Sequence, residues 1–265
     1  MYDFNYQRAD SVADASAKVK ASDDGMLMAG GMTLIPTLKQ RLAQPADVVD
    51  LGGISELAGI SVDGDTVTIG AMTTHATVAA SADVKSKIPA LADLADGIGD
   101  PQVRNRGTIG GSIANNDPAA DYPSACVGLG ATIVTDQREI TADDFFVGMF
   151  ETALEEGEVV IAVKFPVPGK AAYMKFPNPA SRYAIVGVFV SEGSGGCRVA
   201  VTGAGQDGVF RVGEMESALS SGFNADAVAG IAVSADDLNS DIHASAEYRA
   251  HLVTVMAKRA VAKAG

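Results

Sequence analysis

The sequence predicts an α+β protein of two domains, on three observations. The chain has 265 residues, which is more than one compact core usually contains. Short apolar runs typical of strands alternate with segments of helical spacing. Pro166 and Pro168 then interrupt this pattern directly after an apolar run. We therefore place a domain boundary at about residue 168, which separates residues 1–168 from residues 169–265.

The first lobe of the first domain, at about residues 1–54, contains a Gly-Gly pair between a strand and a helix. An apolar run at residues 26–29 predicts a buried strand that ends at the pair, residues 30–31. Thr33 is placed to cap the helix that follows. The first turn of a helix leaves main-chain N–H groups free, so this stretch predicts a seat for an anion such as a pyrophosphate. Residues 46–51 predict a second strand.

The second lobe, at about residues 55–168, is predicted to contain a hairpin, helices and further strands. Two apolar runs, residues 57–62 and 66–70, flank Asp-Gly-Asp, which is a turn signal between strands. Helices are predicted at residues 11–22 in the first lobe and at residues 74–80 and 88–94 in the second, with further strands at residues 125–135 and 158–166.

Residues 97–121 have no hydrophobic period and are predicted to form a long structured loop. The stretch is rich in Gly, Pro and Asn, and an irregular segment of this length within a compact domain is usually functional. It contains a second Gly-Gly pair, at residues 110–111. Paired glycines allow a ligand to approach the main chain closely. Two such loops predict one long ligand with a charged centre, held from two sides.

The second domain is predicted to be the smaller one. Its apolar runs predict strands at residues 171–176, 185–191 and 197–202, and its periodic segments predict helices at residues 212–220 and 244–264.

Composition argues against several classes of function. The net charge of −13 disfavours nucleic acid as a partner, and no apolar run is long enough for a transmembrane segment. The N-terminus lacks the pattern of a signal peptide, so the default compartment is the cytoplasm. Cys126 and Cys197 are too few to hold an iron–sulfur cluster or a zinc ribbon. No metal site or catalytic set stands out, and His75 is interpreted as a structural histidine with satisfied hydrogen bonds.

Four motifs, in order, resemble those of the FAD-binding medium subunits of molybdenum hydroxylases, the family of xanthine dehydrogenase and aerobic carbon monoxide dehydrogenase. AGGMTLIP, at residues 29–36, resembles that family's AGGxSLLP loop, and TIGGSIANNDPAAD, at residues 108–121, resembles its TIGGNxxxxDPxAD loop. The segments IGDPQVRNRGT and KFPNPASRYAIVGV are similar as well. Met32 and Ser112 depart from the family pattern, which commonly has Gln or His at the first position and Asn at the second.

The resemblance implies a two-lobed FAD-binding domain of the vanillyl-alcohol-oxidase (PCMH) type, followed by a small C-terminal domain with a three-stranded sheet. FAD would lie non-covalently in the cleft between the lobes, and this chain would hold no catalytic residue and no metal. Ile98 and Tyr183 would lie near the flavin ring, and Asp121 falls on a flavin-contacting position. The cofactor-binding positions that the resemblance implies are Leu27, Met28, Ala29, Gly30, Gly31, Met32, Thr33, Leu34, Ile98, Thr108, Gly110, Gly111, Ser112, Ala114, Asp121, Val160, Lys175 and Tyr183.

The resemblance also implies partner subunits. A large subunit would hold a molybdenum–pterin centre and a small subunit would hold [2Fe–2S] clusters, arranged as a dimer of heterotrimers. Electrons would pass from the clusters through FAD to an external acceptor. Two other functions stay open: a free-standing flavin oxidoreductase of the same superfamily, and a non-catalytic assembly subunit that has lost FAD. The substrate is not indicated by this chain.

Overall fold

The computed structural model describes every residue from Met1 to Gly265 and has the predicted α+β composition. The first lobe is a parallel sheet in the order β1-β3-β2. Parallel strands need crossover connections, which the two helices of this lobe supply. Its elements are β1 (Asn5–Arg8), α1 (Val12–Lys20), β2 (Gly25–Met28), α2 (Leu34–Lys39) and β3 (Asp47–Asp50).

The second lobe is built on a five-stranded antiparallel sheet in the order β4-β5-β10-β6-β7. The predicted hairpin is confirmed, with Asp63 paired to Thr66 and Gly64 at a φ of 56° in the turn. The elements are a 3₁₀ helix (Ser55–Leu57), β4 (Ile60–Asp63), β5 (Thr66–Gly70), α3 (His75–Ala80), α4 (Ala82–Lys87), α5 (Pro89–Asp96), α6 (Pro101–Arg104), α7 (Ile109–Asn115), α8 (Tyr122–Leu129), β6 (Thr132–Thr135), β7 (Glu139–Thr141), α9 (Ala142–Phe145), β8 (Phe146–Gly148), β9 (Glu151–Thr152) and β10 (Val160–Pro166).

The segment 97–121 is more regular than the sequence predicted, because it contains α6 and α7. Asp100 caps α6 by accepting from the Val103 N–H at 2.9 Å, and Thr108 caps α7 by accepting from the Gly111 N–H at 3.2 Å. Caps of this kind stabilise helix starts through local hydrogen bonds. Helices of one or two turns are too short to show a hydrophobic period, which is why the pattern alone indicated a loop.

The prediction of a strand over residues 125–135 was wrong in its first half, which belongs to α8. All eight residues of α8 are buried, because the helix lies between the sheet of the second lobe and the C-terminal sheet. A helix that is covered on every side has no polar face and therefore shows no helical period. At Gly128 a Cβ would lie 2.8 Å from the Phe189 ring, so the glycine lets the C-terminal sheet approach α8 closely.

The C-terminal region is an antiparallel sheet with its strands in sequence order. The prediction of three strands is corrected to four, since a two-residue strand forms the edge and is too short to show alternation. The central strand is buried from Ala184 to Ser191, because α8 covers one face of the sheet and the last helix the other. The elements are β11 (Lys170–Pro177), β12 (Ala184–Gly193), β13 (Gly196–Thr202), β14 (Phe210–Arg211), α10 (Gly213–Ser221), α11 (Ala225–Ala229) and α12 (Ala246–Ala264).

None of these helices combines the length and the apolar character that crossing a bilayer requires.

Arg249 of α12 is a buried charge that ties this helix to the sheet. Its Nη1 donates to the carbonyls of Ile185 and Gly203 at 2.6 and 2.9 Å, and its Nη2 pairs with Asp241 at 2.7 Å. Replacing it with Met leaves these acceptors without a partner, so we expect the free energy of unfolding to fall by about 3 kcal/mol in urea denaturation. The matched control is Arg259→Met on the exposed side of α12, which should cost less than about 0.5 kcal/mol. Equal losses in the two variants would contradict this role.

Candidate functional site

A cleft of about 700 Å³ is lined by residues of both lobes and of the loop after β11. Its volume lies in the range of sites that bind a small molecule or cofactor. Sixteen of the eighteen residues implied by the sequence resemblance line it, and Met28 and Lys175 do not. Met28 is the last residue of β2, and its neighbours Leu27 and Ala29 do line the cleft.

The two glycine motifs meet through direct main-chain contact. A Cβ at Gly30 would lie 1.9 Å from the Arg106 carbonyl oxygen and 2.9 Å from the Gly107 Cα. A Cβ at Gly111 would lie 3.2 Å from that of Ala29. No side chain fits between chains at these distances, so only glycine at position 30 permits the approach. The two motifs therefore form one structural unit in the cleft wall.

The first motif presents a row of free main-chain N–H groups. None of the N–H groups from Ala29 to Leu34 donates a hydrogen bond within the chain, and the next one, of Ile35, donates to the Gly31 carbonyl at 3.0 Å. Gly31 has a φ of 73°, and successive amides around such a residue form an anion-binding concavity. Thr33 was predicted to cap α2, but its side chain makes no capping bond, and α2 has only six residues. The predicted anion seat therefore depends mainly on the row of free N–H groups, and the dipole of the short helix α2 contributes less.

The second motif is largely closed by hydrogen bonds of the protein itself. The N–H groups of Ile109 and Gly110 donate to carbonyls before α3 at 3.1 and 2.8 Å. The N–H of Gly111 donates to the Thr108 hydroxyl at 3.2 Å. Ser112 lines the cleft, and its hydroxyl makes no hydrogen bond within the chain. This motif therefore offers small residues and a free hydroxyl, and its main-chain donors are already used within the protein.

A second part of the cleft is lined by Ile98, Asp121 and Tyr183. The turn that holds Ile98 is fixed by Arg104, whose Nη1 donates to the carbonyls of Ile98 and Gly99 at 3.0 Å each. Arg104 is therefore a structural residue.

Lys175 lies behind the cleft, where it pairs with Asp121. The Lys175 Nζ is 3.0 Å from Asp121 Oδ1 and donates to the Gly97 carbonyl at 2.8 Å, while the Tyr173 hydroxyl donates to the same carboxylate. Burial raises the pKa of the Asp121 carboxyl, and Lys175 and Tyr173 oppose this rise by stabilising the charged form. The C-terminal sheet, through β11, thus fixes a carboxylate in the cleft wall. The Lys175 ammonium lies against the Asp121 carboxylate and not in the cleft, because a buried carboxylate without a partner would lower the free energy of unfolding.

Glu158 is a cleft-lining residue that the sequence reasoning missed. Its side chain is fully buried, 3.0 Å from Arg138 Nη2, and it accepts from the Thr135 hydroxyl at 2.7 Å and from the Glu155 N–H at 2.8 Å. Burial raises the pKa of the carboxyl, but these hydrogen bonds and the Arg138 charge outweigh burial and lower the pKa to about 2. With its hydrogen-bonding capacity used inside the wall, Glu158 has a structural role.

The interpretation of His75 as a satisfied structural histidine was wrong. The residue lines the cleft with 5% of its surface exposed, and its Nδ1 is buried without a partner. The neighbouring Tyr122 has a buried hydroxyl without a partner as well, with the two ring centroids 5.3 Å apart. Burial and, to a smaller extent, the Arg104 charge lower the pKa of His75 to about 4, so the ring is neutral at pH 7. The positions of the histidines along the sequence cannot show whether the ring nitrogens of one of them form hydrogen bonds in the folded protein.

The fold and the cleft define a protein that binds a nucleotide-type cofactor. A row of free N–H groups suits a phosphate-type anion, and the apolar walls on either side suit ring systems. A family model described as the FAD binding domain in molybdopterin dehydrogenase matches residues 2–168. The chain belongs to this family.

Relatives match the chain over nearly its whole length. The carbon monoxide dehydrogenase medium chain of Hydrogenophaga pseudoflava is 35% identical, over 97% of this chain and 96% of its own length. The nicotine 6-hydroxylase medium subunit of Paenarthrobacter nicotinovorans is 34% identical, over 98% and 96%. A chain of reconstituted CO dehydrogenase from Oligotropha carboxidovorans superposes with a TM-score of 0.90 at 34% identity, covering 99% of this chain and 98% of that one.

The contact at Gly30 provides a test of the cleft. In Gly30→Ala the added methyl group collides with the Arg106 carbonyl, so the two motifs must separate and the row of N–H groups must shift. We expect the affinity for added FAD to fall at least tenfold, measured by quenching of flavin fluorescence. Gly213→Ala is the control, since its surroundings are open, and it should bind as the wild type does. Unchanged affinity in Gly30→Ala would show that FAD does not depend on this contact.

His75 predicts a pH dependence of stability. Its folded-state pKa of about 4 lies below the ordinary 6.5, so between these values the unfolded chain binds a proton that the folded chain does not. The free energy of unfolding should therefore fall by up to about 3 kcal/mol as pH drops from 6.5 to 4. In urea denaturation of the FAD-free protein, His75→Gln should lose less stability over this window, while the exposed His251→Gln should follow the wild type. Parallel losses in all three proteins would refute the assignment.

Proposed function

We propose that the chain is the FAD-carrying medium subunit of a molybdenum hydroxylase complex, which passes electrons from [2Fe–2S] clusters of a partner through FAD to an external acceptor. The observation on which this rests is the row of free N–H groups from Ala29 to Leu34, in a cleft formed by a chain of that family. A row of main-chain donors without internal acceptors fits the pyrophosphate of a dinucleotide.

Bound FAD supplies the redox chemistry, and the protein supplies position and environment. The N–H groups of the first motif would hold the pyrophosphate, with the Ser112 hydroxyl as a further donor. Ile98 and Tyr183 would cover the flavin, and the apolar Leu27 and Val160 would line another part of the cleft. No covalent attachment is needed for any of these contacts, which accords with a non-covalent cofactor.

We propose that residues 1–168 form the FAD-binding domain, with lobes at about 1–54 and 55–168, and that residues 169–265 form a C-terminal domain. The extent of the family match, residues 2–168, supports this division, as does a first sheet that lies wholly within residues 5–50. The C-terminal part has a core of its own between its sheet and α12.

The chain needs partners for electron transfer. Its two cysteines are free and buried, so the [2Fe–2S] clusters belong to another subunit and the molybdenum–pterin centre to a third. The two relatives named above are a medium chain and a medium subunit and match over at least 96% of either chain, which disfavours a free-standing oxidoreductase. The free N–H row disfavours an assembly subunit that has lost FAD. We propose a dimer of heterotrimers in the cytoplasm, where free thiols persist.

The substrate is chosen elsewhere in the complex. A carbon monoxide dehydrogenase medium chain and a nicotine 6-hydroxylase medium subunit are 35% and 34% identical to this chain. Relatives of such different enzymes are equally close, so this subunit does not encode the substrate.

Purification tests the proposal. The complex isolated through a tag on this chain should show the two absorption bands of an oxidised flavin, released by acid precipitation, and should contain a large and a small partner. A colourless chain that also fails to take up added FAD would overturn the proposed function. A yellow chain without partners would instead establish a free-standing flavoprotein.

A further inference from the structure

His75 and Tyr122 are two buried polar side chains whose hydrogen-bonding groups lack partners. His75 stands at the start of α3 and Tyr122 at the start of α8, and both come to lie side by side under the cleft. A buried polar atom without a partner costs free energy, so such atoms are rare in folded proteins. Two of them in neighbouring rings indicate a hydrogen-bonding arrangement between the two side chains.

The other ring nitrogen of His75 lies at the glycine contact. A Cβ at Gly107 would lie 2.6 Å from His75 Nε2, so this nitrogen lies against the Gly107 main chain. Gly107 in turn contacts Gly30. The Gly107 carbonyl accepts a hydrogen bond from the main-chain N–H of His75 at 3.0 Å. Nε2 makes no hydrogen bond within the chain and is not among the fully buried atoms, so it faces the cleft that His75 lines. The imidazole edge therefore lies at the contact between Gly107 and Gly30, where the row of free N–H groups begins.

The charge of the cleft favours a neutral donor at this place. Arg182 is the single basic residue among those that line the cleft, and its Nη1 already donates to the Gly99 carbonyl at 3.1 Å. Asp117, Asp121 and Glu155 also line the cleft. A pyrophosphate must therefore be held here mainly by neutral N–H and O–H groups, and a neutral imidazole can supply one more.

We propose that His75 is a cofactor-binding residue whose Nε2–H donates to a pyrophosphate oxygen of FAD, and that Tyr122 positions it by donating to Nδ1 through one water. A neutral imidazole has one donor and one acceptor nitrogen, and a partner on one nitrogen decides which tautomer forms. The Tyr122 hydroxyl on Nδ1 fixes the proton on Nε2. This inference rests on the proposed function, because it takes FAD as the occupant of the cleft.

Titration of the FAD-free chain with FAD measures the role of each group. His75→Met removes both nitrogens and should weaken binding about tenfold, the effect of one hydrogen bond to a charged oxygen. His75→Gln keeps an N–H donor and should bind within about threefold of the wild type. Tyr122→Phe should weaken binding less than His75→Met, and the double variant should equal His75→Met, because Tyr122 acts through His75.

Nitrogen-15 NMR of labelled histidine reads the tautomer of His75 in the wild-type chain itself. The chain has three histidines, and His75→Gln identifies the resonances of His75 by difference. We expect the tautomer with the proton on Nε2 in the wild type, a shift of its Nε2 resonance when FAD is added, and a mixture of tautomers in Tyr122→Phe.

The outcomes separate this inference from the proposed function. A wild-type chain that does not bind FAD overturns the proposed function, and this inference with it. A wild type that binds FAD while His75→Met binds equally well, or a His75 ring whose resonances do not change with FAD, overturns this inference alone. A proton on Nδ1 overturns the role of Tyr122.

Discussion

The site depends on one contact between two main chains, at Gly30 and the Arg106–Gly107 peptide. It brings a turn of the first lobe against a turn of the second with no side chain between them. His75, the first residue of α3, donates its main-chain N–H to the Gly107 carbonyl, so this hydrogen bond links the contact to α3. The row of free N–H groups follows directly from this arrangement, because the chain leaves β2 with Gly31 in the left-handed region and its amides find no acceptor.

The electrostatics of the cleft suit an anion that is held by dipoles. The chain has a net charge of −13, and a single arginine among the cleft-lining residues. Its carboxylates are controlled separately: Asp121 is paired with Lys175, and Glu158 is bound by Arg138. A cleft built this way offers an anion mainly main-chain dipoles, with Arg182 as its single arginine. The C-terminal sheet takes part, because Lys175 and Tyr173 on β11 fix the Asp121 carboxylate.

Much of this arrangement follows from local sequence signals. The Asp-Gly hairpin and the strand before the first glycine pair follow from turn chemistry and apolar runs. The sixteen predicted residues that line the cleft came from the resemblance of four motifs to a known family. The features that were missed depend on neighbours distant in sequence. α8 looked like part of a strand because two sheets cover it, and Lys175 lies one layer back because Asp121 is its counterion. The unpartnered nitrogen of His75 could be found only from the packing around it, which includes Tyr122 from a distant part of the chain.

The use of main-chain donors has a consequence for how this subunit can diverge. An N–H group is present whatever the side chain, except in proline, so exchanges such as Met32 for Gln or His leave the seat intact. Drift at these positions is neutral for the cofactor as long as the glycines keep their backbone angles. A lineage can therefore exchange the side chains of this loop while the row of N–H groups is kept.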